Sequence, residues 1–336
     1  MVTIKDIARQ ANVSPTTVSR VLNNDQSFNV SDKTRNKVFE VARQLGYKTI
    51  VERYSKKNYR LALVYKSVIL NNHLENDFHF SIRTGIDKVC REHEMEIINV
   101  FKFSNVSVTN IHGAIIQGNY TDEEIEGITA ALETDNILII GRCPDDNKYD
   151  SVWFDTKKAI HSALSYLTGL GHRDIGYIGS IESPDLELED RREQIFLRYM
   201  SGCPGFQERR VYLGNFGTKS GYQMMERAFQ DGPLPSAFFI ANDPNAIGAL
   251  EFLKEKNISV PETLSIVSFN DHPMTRYTTP SLSTVRIPAE YMGQTAVQTI
   301  IEKIEGGRNM CKKVLVPTQL IIRDSSSAPA TAPARP

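Results

Sequence analysis

Apolar positions recur at helical spacing through the first 46 residues, and beyond residue 60 they gather into short unbroken runs. Ile4, Ile7, Ala8 and Ala11 stand three and four apart, which puts them on one helical face. Asn12 is a turn residue, Ser14 is a good N-cap, and Pro15 suits the first helical position. Val18, Val21 and Leu22 form the inward side of a second helix. Residues 23–30 (NNDQSFNV) are rich in turn formers. Ser31 begins a third helix with Val38, Val41, Ala42 and Leu45 inward, ending near Gly46. Two short helices so closely joined predict a helix-turn-helix.

Residues 47–60 (YKTIVERYSKKNYR) lack a strong period and read as a linker. From Leu61 the texture changes. LALVY (61–65), EIINV (96–100), GAII (113–116), NILII (136–140), IGYIGS (175–180), AFFIA (237–241) and SIVSFN (265–270) predict short buried strands. Amphipathic stretches, among them 80–95 and 161–171, lie between them. Strands alternating with helices predict parallel sheets covered on both faces. About 265 residues exceed one comfortable core, so two α/β subdomains are expected. The last stretch, SSSAPATAPARP (325–336), has the composition of a disordered tail.

Charge sharpens this division. The 336 residues carry a formal net charge of -1, but residues 1–60 hold 12 Lys/Arg against 5 Asp/Glu, while residues 61–336 hold 27 against 35. A basic head on an acidic body implies that the head meets a polyanion and the body does not. No apolar run is long enough to span a bilayer, and residues 1–10, with Asp6 among them, do not read as a secretory signal. Cys90, Cys143, Cys203 and Cys311 lie far apart, the usage of a reducing compartment. Cytoplasmic location follows as an expectation. No metal spacing is found among the seven histidines, and no phosphate-binding GxxxxGK[ST] or GxSxG nucleophile elbow is present. Neither a catalytic site nor a cofactor is therefore expected.

Thr16, Thr17, Ser19 and Arg20 lie on turns of the second helix where they point outward while Val18 and Val21 point in. Such a helix can enter the major groove, with Arg20 positioned for a bidentate contact to guanine. Thr3, Ser14, Ser31 and Thr34 stand near helix starts, where hydroxyls and free amides hold phosphates. The alternative is a small helical cap with a solvated polar face.

The stretches IKDIARQANVSPTTVSRVLN (4–23) and VSDKTRNKVFEVARQLGY (30–47) closely resemble the headpiece of the lactose/galactose repressor family. GHRDIGYIGS (171–180), ANDPNAIGAL (241–250), SIVSFND (265–271) and PSLSTVRIPAEYMG (280–293) resemble that family's core, nearest its galactoside-responsive branch, which includes the repressor of the evolved-β-galactosidase operon. The resemblance implies a homodimeric regulator of carbohydrate genes. Its α/β core would be periplasmic-binding-protein-like, two doubly wound parallel-sheet subdomains joined by three crossovers. An effector, a sugar or galactoside, would sit beyond the carboxyl ends of the strands. It also implies a headpiece over 1–46, a hinge over 47–60, a first subdomain over 61–157 and 286–310, and a second over 158–285 and 311–324, ending in a strand over 314–322.

By family position Pro15, Thr16 and Arg20 read bases, and Asn23 and Asn29 lie near the DNA backbone. The hinge of the family wedges a leucine into the minor groove; here the apolar candidates are Ile50, Val51 and Tyr54. In the core, Arg192 stands where the family's ligand-binding arginine lies, and its guanidinium suits vicinal hydroxyls; a surface ion pair is the alternative. Asn242 and Asp243 both match family positions, Asn242 as the ligand contact and Asp243 also as an N-cap before Pro244. Asn270 replaces a frequent acid, with Asp271 beside it as a structural residue. Phe216 stands at the place of an aromatic platform, with a core role as alternative, and Phe78 and His79 near the cleft mouth. Gly141–Arg142 replaces an acidic acceptor, which points to a modified or charged sugar. The tail lacks leucine heptads, so a dimer is expected and not a tetramer. A second reading keeps the headpiece as an interaction module on a sugar-binding or sugar-processing protein.

Overall fold

A computed structural model of the chain describes residues 3–22, 30–45, 47, 59–65, 73–100, 109–181, 191–306 and 308–329. Helix α1 (Ile4–Ala11) starts on a reciprocal cap: Thr3 Oγ1 accepts from the Asp6 amide at 3.4 Å, and the Asp6 carboxylate accepts from the Thr3 amide at 2.9 Å. Two amides that no helical turn can reach are thereby satisfied. Asn12 ends the helix at φ 57°, a left-handed conformation its short polar side chain tolerates. Helix α2 (Pro15–Leu22) is capped by Ser14, which accepts from the Thr17 amide at 3.0 Å. Helix α3 (Asp32–Gln44) is capped by Ser31, accepting from the Thr34 amide at 3.3 Å. The inward residues meet in one small core of Ile7, Ala8, Ala11, Val18, Val21, Leu22, Val38, Val41 and Ala42, flanked by half-buried Ile4 and Leu45.

The chain then lays down β1 (Arg60–Tyr65), α4 (His73–Glu92), β2 (Glu96–Val100), β3 (Gly113–Gln117), α5 (Asp122–Leu132), β4 (Ile137–Ile140) and β5 (Asp150–Phe154). After α6 (Thr156–Gly169) come β6 (Ile175–Ser180), α7 (Arg192–Met200), β7 (Val211–Gly214), α8 (Thr218–Gln230), β8 (Ala237–Ile240), α9 (Asp243–Glu255) and β9 (Ser265–Asn270). The last elements are β10 (Ser283–Arg286), α10 (Ala289–Gly306), β11 (Lys313–Val316) and β12 (Gln319–Ile321). They form two six-stranded sheets, ordered β11-β5-β4-β3-β1-β2 and β12-β10-β9-β8-β6-β7. All pairings are parallel except β10 with β12. Both subdomains are therefore doubly wound, and the chain passes between them three times, at 154–156, 286–289 and 316–319.

The sequence assigns 311–324 to the second subdomain as one strand over 314–322. The structure divides that stretch. Residues 313–316 pair with β5 of the first sheet and 319–321 with β10 of the second. Pro317, with no amide to donate, interrupts the ladder between them. Ser325 also departs from the expected tail. It is fully buried, its carbonyl accepts from the Ile266 amide at 2.7 Å, and its hydroxyl accepts from the Ser283 amide at 2.8 Å. Polar hydroxyls here complete a sheet edge, a use that composition does not reveal. Residues 330–336 lie outside the described residues.

Each subdomain closes around one pair of helices in backbone contact. A Cβ on Gly85 would lie 1.9 Å from the Glu290 carbonyl oxygen, and one on Gly248 would lie 1.8 Å from that of Thr218. Between the sheets Phe154 of β5 meets Phe269 of β9, ring centroids 6.0 Å apart. One apolar core thus runs through both subdomains.

Candidate functional site: a helix-turn-helix surface and a cleft between two sheets

In the headpiece, Pro15, Thr16 and Arg20 are exposed on α2, while Val18 and Val21 are buried beneath them. Of the four residues predicted to point outward, Thr16 and Arg20 are exposed, while Thr17 and Ser19 are half-buried. The Thr17 hydroxyl lies 2.8 Å from Ser14 Oγ. Thr3, Ser14, Ser31 and Thr34 all sit at helix starts, but their hydroxyls are engaged in the caps, Ser31 with Thr34 at 2.9 Å and Thr3 with Asp6 at 2.7 Å. What those helix ends offer a phosphate is chiefly the positive end of the backbone dipole. Asn23, Asn29, Ile50, Val51 and Tyr54 lie outside the described residues.

The cleft lies beyond the carboxyl ends of both sheets, as open parallel sheets require. On the second subdomain Arg192 opens α7. Its Nη1 donates to the Ala241 carbonyl at 2.5 Å, and its guanidinium lies 4.8 Å from the centre of the Phe269 ring. These two contacts tie the residue to the end of β8 and to the Phe269 ring of β9. Asn242, not Asp243, is the N-cap of α9. Its Oδ1 accepts from the Asn245 amide at 2.9 Å, and its Nδ2 donates to Ser180 Oγ at 3.2 Å. Asp243 sits one residue inside the helix and turns away from solvent. Its carboxylate accepts from Ser268 Oγ at 2.5 Å, Thr284 Oγ1 at 3.0 Å and the His272 amide at 2.6 Å. Burial pushes its carboxyl up to about 6 despite those three donors. Asp243 is thus a clamp joining α9 to β9, β10 and the turn after β9. The shift of the cap by one residue also commits part of the Asn242 amide to backbone.

That turn is strained. Asn270 has φ 112° and Asp271 φ 59°, two consecutive non-glycine residues in the left-handed half of the map. Such geometry persists only where surrounding contacts over-determine it. Here Asp271, its side chain almost wholly buried, accepts from Arg286 Nε at 2.6 Å and Arg323 Nη2 at 2.5 Å, and its amide donates to Thr284 Oγ1 at 3.2 Å. The structural role expected of Asp271 is present in those contacts, and Asn270 is displayed at the strand end because of them. Next in sequence, His272 Nε2 lies 2.7 Å from Asp77 Oδ2 on α4, so the turn also touches the first subdomain.

On the first subdomain His79 Nδ1 lies 2.8 Å from Gln117 Nε2, at the end of β3. Burial depresses this imidazole to about 4. Phe78 packs edge-on against Trp153, centroids 6.4 Å apart, and Trp153 stacks on Phe154 at 4.6 Å. Half-buried Arg142 follows Gly141, whose φ is 148° and whose Cβ, were there one, would lie 2.8 Å from the Gly118 carbonyl oxygen. An acidic residue does not fit at 141 on this backbone. Phe216 is half-buried just before Gly217, which starts α8.

Sequence reading passed over Gln117, Trp153 and the Asp77–His272 contact. Gln117 ends β3 and Trp153 stands one residue before the end of β5, close to where parallel sheets expose side chains to a ligand, and that is the signal that finds them. The third joins residues 195 positions apart and leaves no local trace.

Comparison with known proteins agrees with this geometry. Residues 3–49 match the model of bacterial regulatory proteins of the lacI family, and residues 164–326 match a periplasmic binding protein-like domain. The HTH-type transcriptional repressor MelR of Bacillus subtilis is 35% identical over 347 residues, covering 98% of this chain and 99% of the relative. Two solved structures superpose on nearly the whole chain. The CelR–cellobiose complex has TM-score 0.68 at 22% identity, covering 97% of this chain and 100% of the other. The Lac repressor dimer bound to operator and the anti-inducer ONPF has TM-score 0.67 at 22% identity, covering 97% and 99%. At that identity the superpositions speak for the fold. Among the described residues no helix is long and apolar enough to cross a membrane.

Proposed function

This chain belongs to the LacI family of bacterial regulatory proteins, and from that premise we propose that it is a cytoplasmic, sugar-responsive repressor of carbohydrate-utilisation genes of the galactoside type. It is a DNA-binding regulator and not an enzyme. Pro15, Thr16 and Arg20 read base edges, while the helix starts at Thr3, Ser14, Ser31 and Thr34 rest on phosphates. Asn23 and Asn29 lie along the backbone, and Ile50, Val51 or Tyr54 supplies the minor-groove wedge. Arg192, Asn242 and Asn270, with Phe216, Phe78, His79 and Arg142, line the effector cleft, and Asp243 holds that cleft together from behind.

A homodimer presents two headpieces to a pseudo-palindromic operator, with half-sites about one helical turn apart. Exposed Phe80, Met274 and Tyr277 stand on the two elements that the Asp77–His272 contact joins, and they offer an apolar face to a second copy. Effector and operator weaken each other's binding to the same degree, as linkage requires.

The observation that carries this reading is the pairing, in one chain, of a capped helix-turn-helix with a two-sheet cleft whose polar groups gather at the strand ends. The test is operator binding at rising salt, with and without sugar. We expect affinity for a palindrome from the protein's own promoter to fall steeply with salt, by counterion release, and to fall further with the effector. Equal affinity for that palindrome and for random DNA would falsify the reading.

A further inference from the structure

We propose that His112 is a positioning residue for operator binding: with Tyr59 and Glu305 it seats the chain where the linker enters the core, and that seat sets which half-site spacing the two headpieces accept. This rests on the operator-binding reading above and adds to it the residues that hold the linker's end.

The sequence reads as a linker over 47–60, yet the last of those residues, Arg60, is the first of β1. Arg60 and His112 exchange two hydrogen bonds. The His112 amide donates to the Arg60 carbonyl at 2.9 Å, and the Arg60 amide donates to His112 Nδ1 at 3.1 Å. The first bond extends the parallel ladder of β1 and β3, in which Leu61 lies opposite Gly113. The second is unusual for a sheet, because a side chain accepts where a strand carbonyl normally does. Asn110 stands at φ 62°, so the backbone ahead of His112 leaves the extended path and the imidazole takes the vacant place. A backbone amide at a strand start needs some acceptor, and here His112 is that acceptor.

His112 is itself held. Its carbonyl accepts from Asn136 Nδ2 at 2.8 Å and from Thr134 Oγ1 at 3.3 Å, both just ahead of β4. Its ring stands edge-on to Tyr59, centroids 5.3 Å apart. Tyr59 is buried, and its Oη donates to Glu305 Oε1 on α10 at 3.0 Å. The Tyr59 carbonyl accepts from the Glu96 amide at 2.9 Å. The Arg60 side chain adds Nε to Glu96 at 2.8 Å and Nη1 to the Thr109 carbonyl at 2.5 Å. Contacts from β2, α10 and the turns before β3 and β4 thus converge on the two residues that follow 47–58. All lie at the amino ends of the strands, on the edge of the sheet away from the cleft.

A chain fixed at its root samples fewer directions than one free to pivot there. Once one headpiece of a dimer is bound, the second meets its half-site at an effective concentration set by the tether, highest where span and spacing match. A firm seat raises that concentration at one spacing and lowers it at others. A loosened seat levels the difference without touching the helix that reads bases.

The test uses full-length protein, unaltered and as His112→Leu, His112→Asn and Tyr59→Phe. Fluorescence anisotropy measures affinity for the palindrome of the operator test, for that palindrome with two base pairs added between its half-sites, and for a single half-site. We expect the unaltered protein to favour the matched spacing. His112→Leu offers the Arg60 amide no acceptor and should lower that preference about tenfold, with single half-site affinity unchanged. Asparagine places Oδ1 where Nδ1 stands, so His112→Asn should restore most of the preference. Tyr59→Phe loses only the Glu305 bond and should lower it about threefold. Should His112→Leu not fold, Tyr59→Phe decides. Folded variants with an unchanged spacing preference, whatever their melting midpoints, overturn the seat and leave the operator reading standing. So does an unaltered protein indifferent to spacing, or a loss as large at the single half-site as at the palindrome. An unaltered protein that binds the palindrome no better than random DNA overturns both.

Discussion

The two walls of the cleft share a scaffold and differ in chemistry. Each stands at the carboxyl edge of a six-stranded doubly wound sheet, behind one glycine-mediated helix pair. The second-subdomain wall is made with charge and strain: Arg192 over Phe269, buried Asp243, and an Asn270–Asp271 turn held by two arginines. The first-subdomain wall is made with an imidazole that burial keeps uncharged and with aromatic rings, and half-buried Arg142 follows β4 beside them. The fold fixes where a ligand sits, and the residues just past each strand fix what that place recognises.

The largest expected effect tests which wall anchors the effector. Arg192→Ala should weaken the sugar by more than a hundredfold, about 3 kcal/mol, the upper range for a hydrogen bond from a charged donor. Arg192→Lys should recover little, because an ammonium lacks the fork. Calorimetry on the sugar found by screening checks this. A smaller loss than His79→Gln gives would reverse the ranking of the walls.

The walls should also answer acid in opposite senses. His79 falls from 6.5 unfolded to about 4 folded, so the unfolded chain binds its proton first. That stability is fully present above pH 6.5 and is lost as pH drops toward 4, about 3 kcal/mol in all. Asp243 rises from 3.8 to about 6, so the folded chain takes its proton first. Stability from this group declines as pH rises from about 4 to 6, by a similar amount. Between pH 4 and 6 the two largely offset each other. In denaturant melts His79→Gln should grow more stable on acidification over that window, and Asp243→Asn less stable. Like slopes for the two variants would break the contrast.

Shared scaffolding predicts equal penalties. Gly85→Ala and Gly248→Ala each force a backbone pair apart and should cost about 2 kcal/mol, read as matched drops in unfolding midpoint. The smallest effect is a gain. Glycine accepts φ 112° without strain, so Asn270→Gly should stabilise the protein by about 1 kcal/mol while weakening the effector. A destabilised Asn270→Gly would show that the turn is not strained.

The headpiece was the most legible part. Ile7, Val18 and Val38 fall at helical spacing, and Ser14–Pro15 announces a helix start, because caps and helical faces are set by neighbours three and four residues away. The buried strands were legible for a similar reason, as β-branched runs such as GAII and SIVSF. The cap at α9 was misread by one residue because Asn242 and Asp243 are both good caps, and only packing against Ser268 and Thr284 makes Asp243 the internal clamp.

By itself, then, the sequence determined the three helices, most strands, the basic head and the family to which the chain belongs, all properties written in local pattern and composition. The tertiary structure alone decided that residues 313–316 return to the first sheet and that Ser325 is buried. It alone decided that Asp271 grips Arg286 and Arg323, that Gln117 meets His79, and that Arg192 lies over Phe269. Those facts depend on groups tens to hundreds of residues apart, brought within hydrogen-bond or van der Waals range only when two sheets close against each other. No periodicity along the chain encodes that closure.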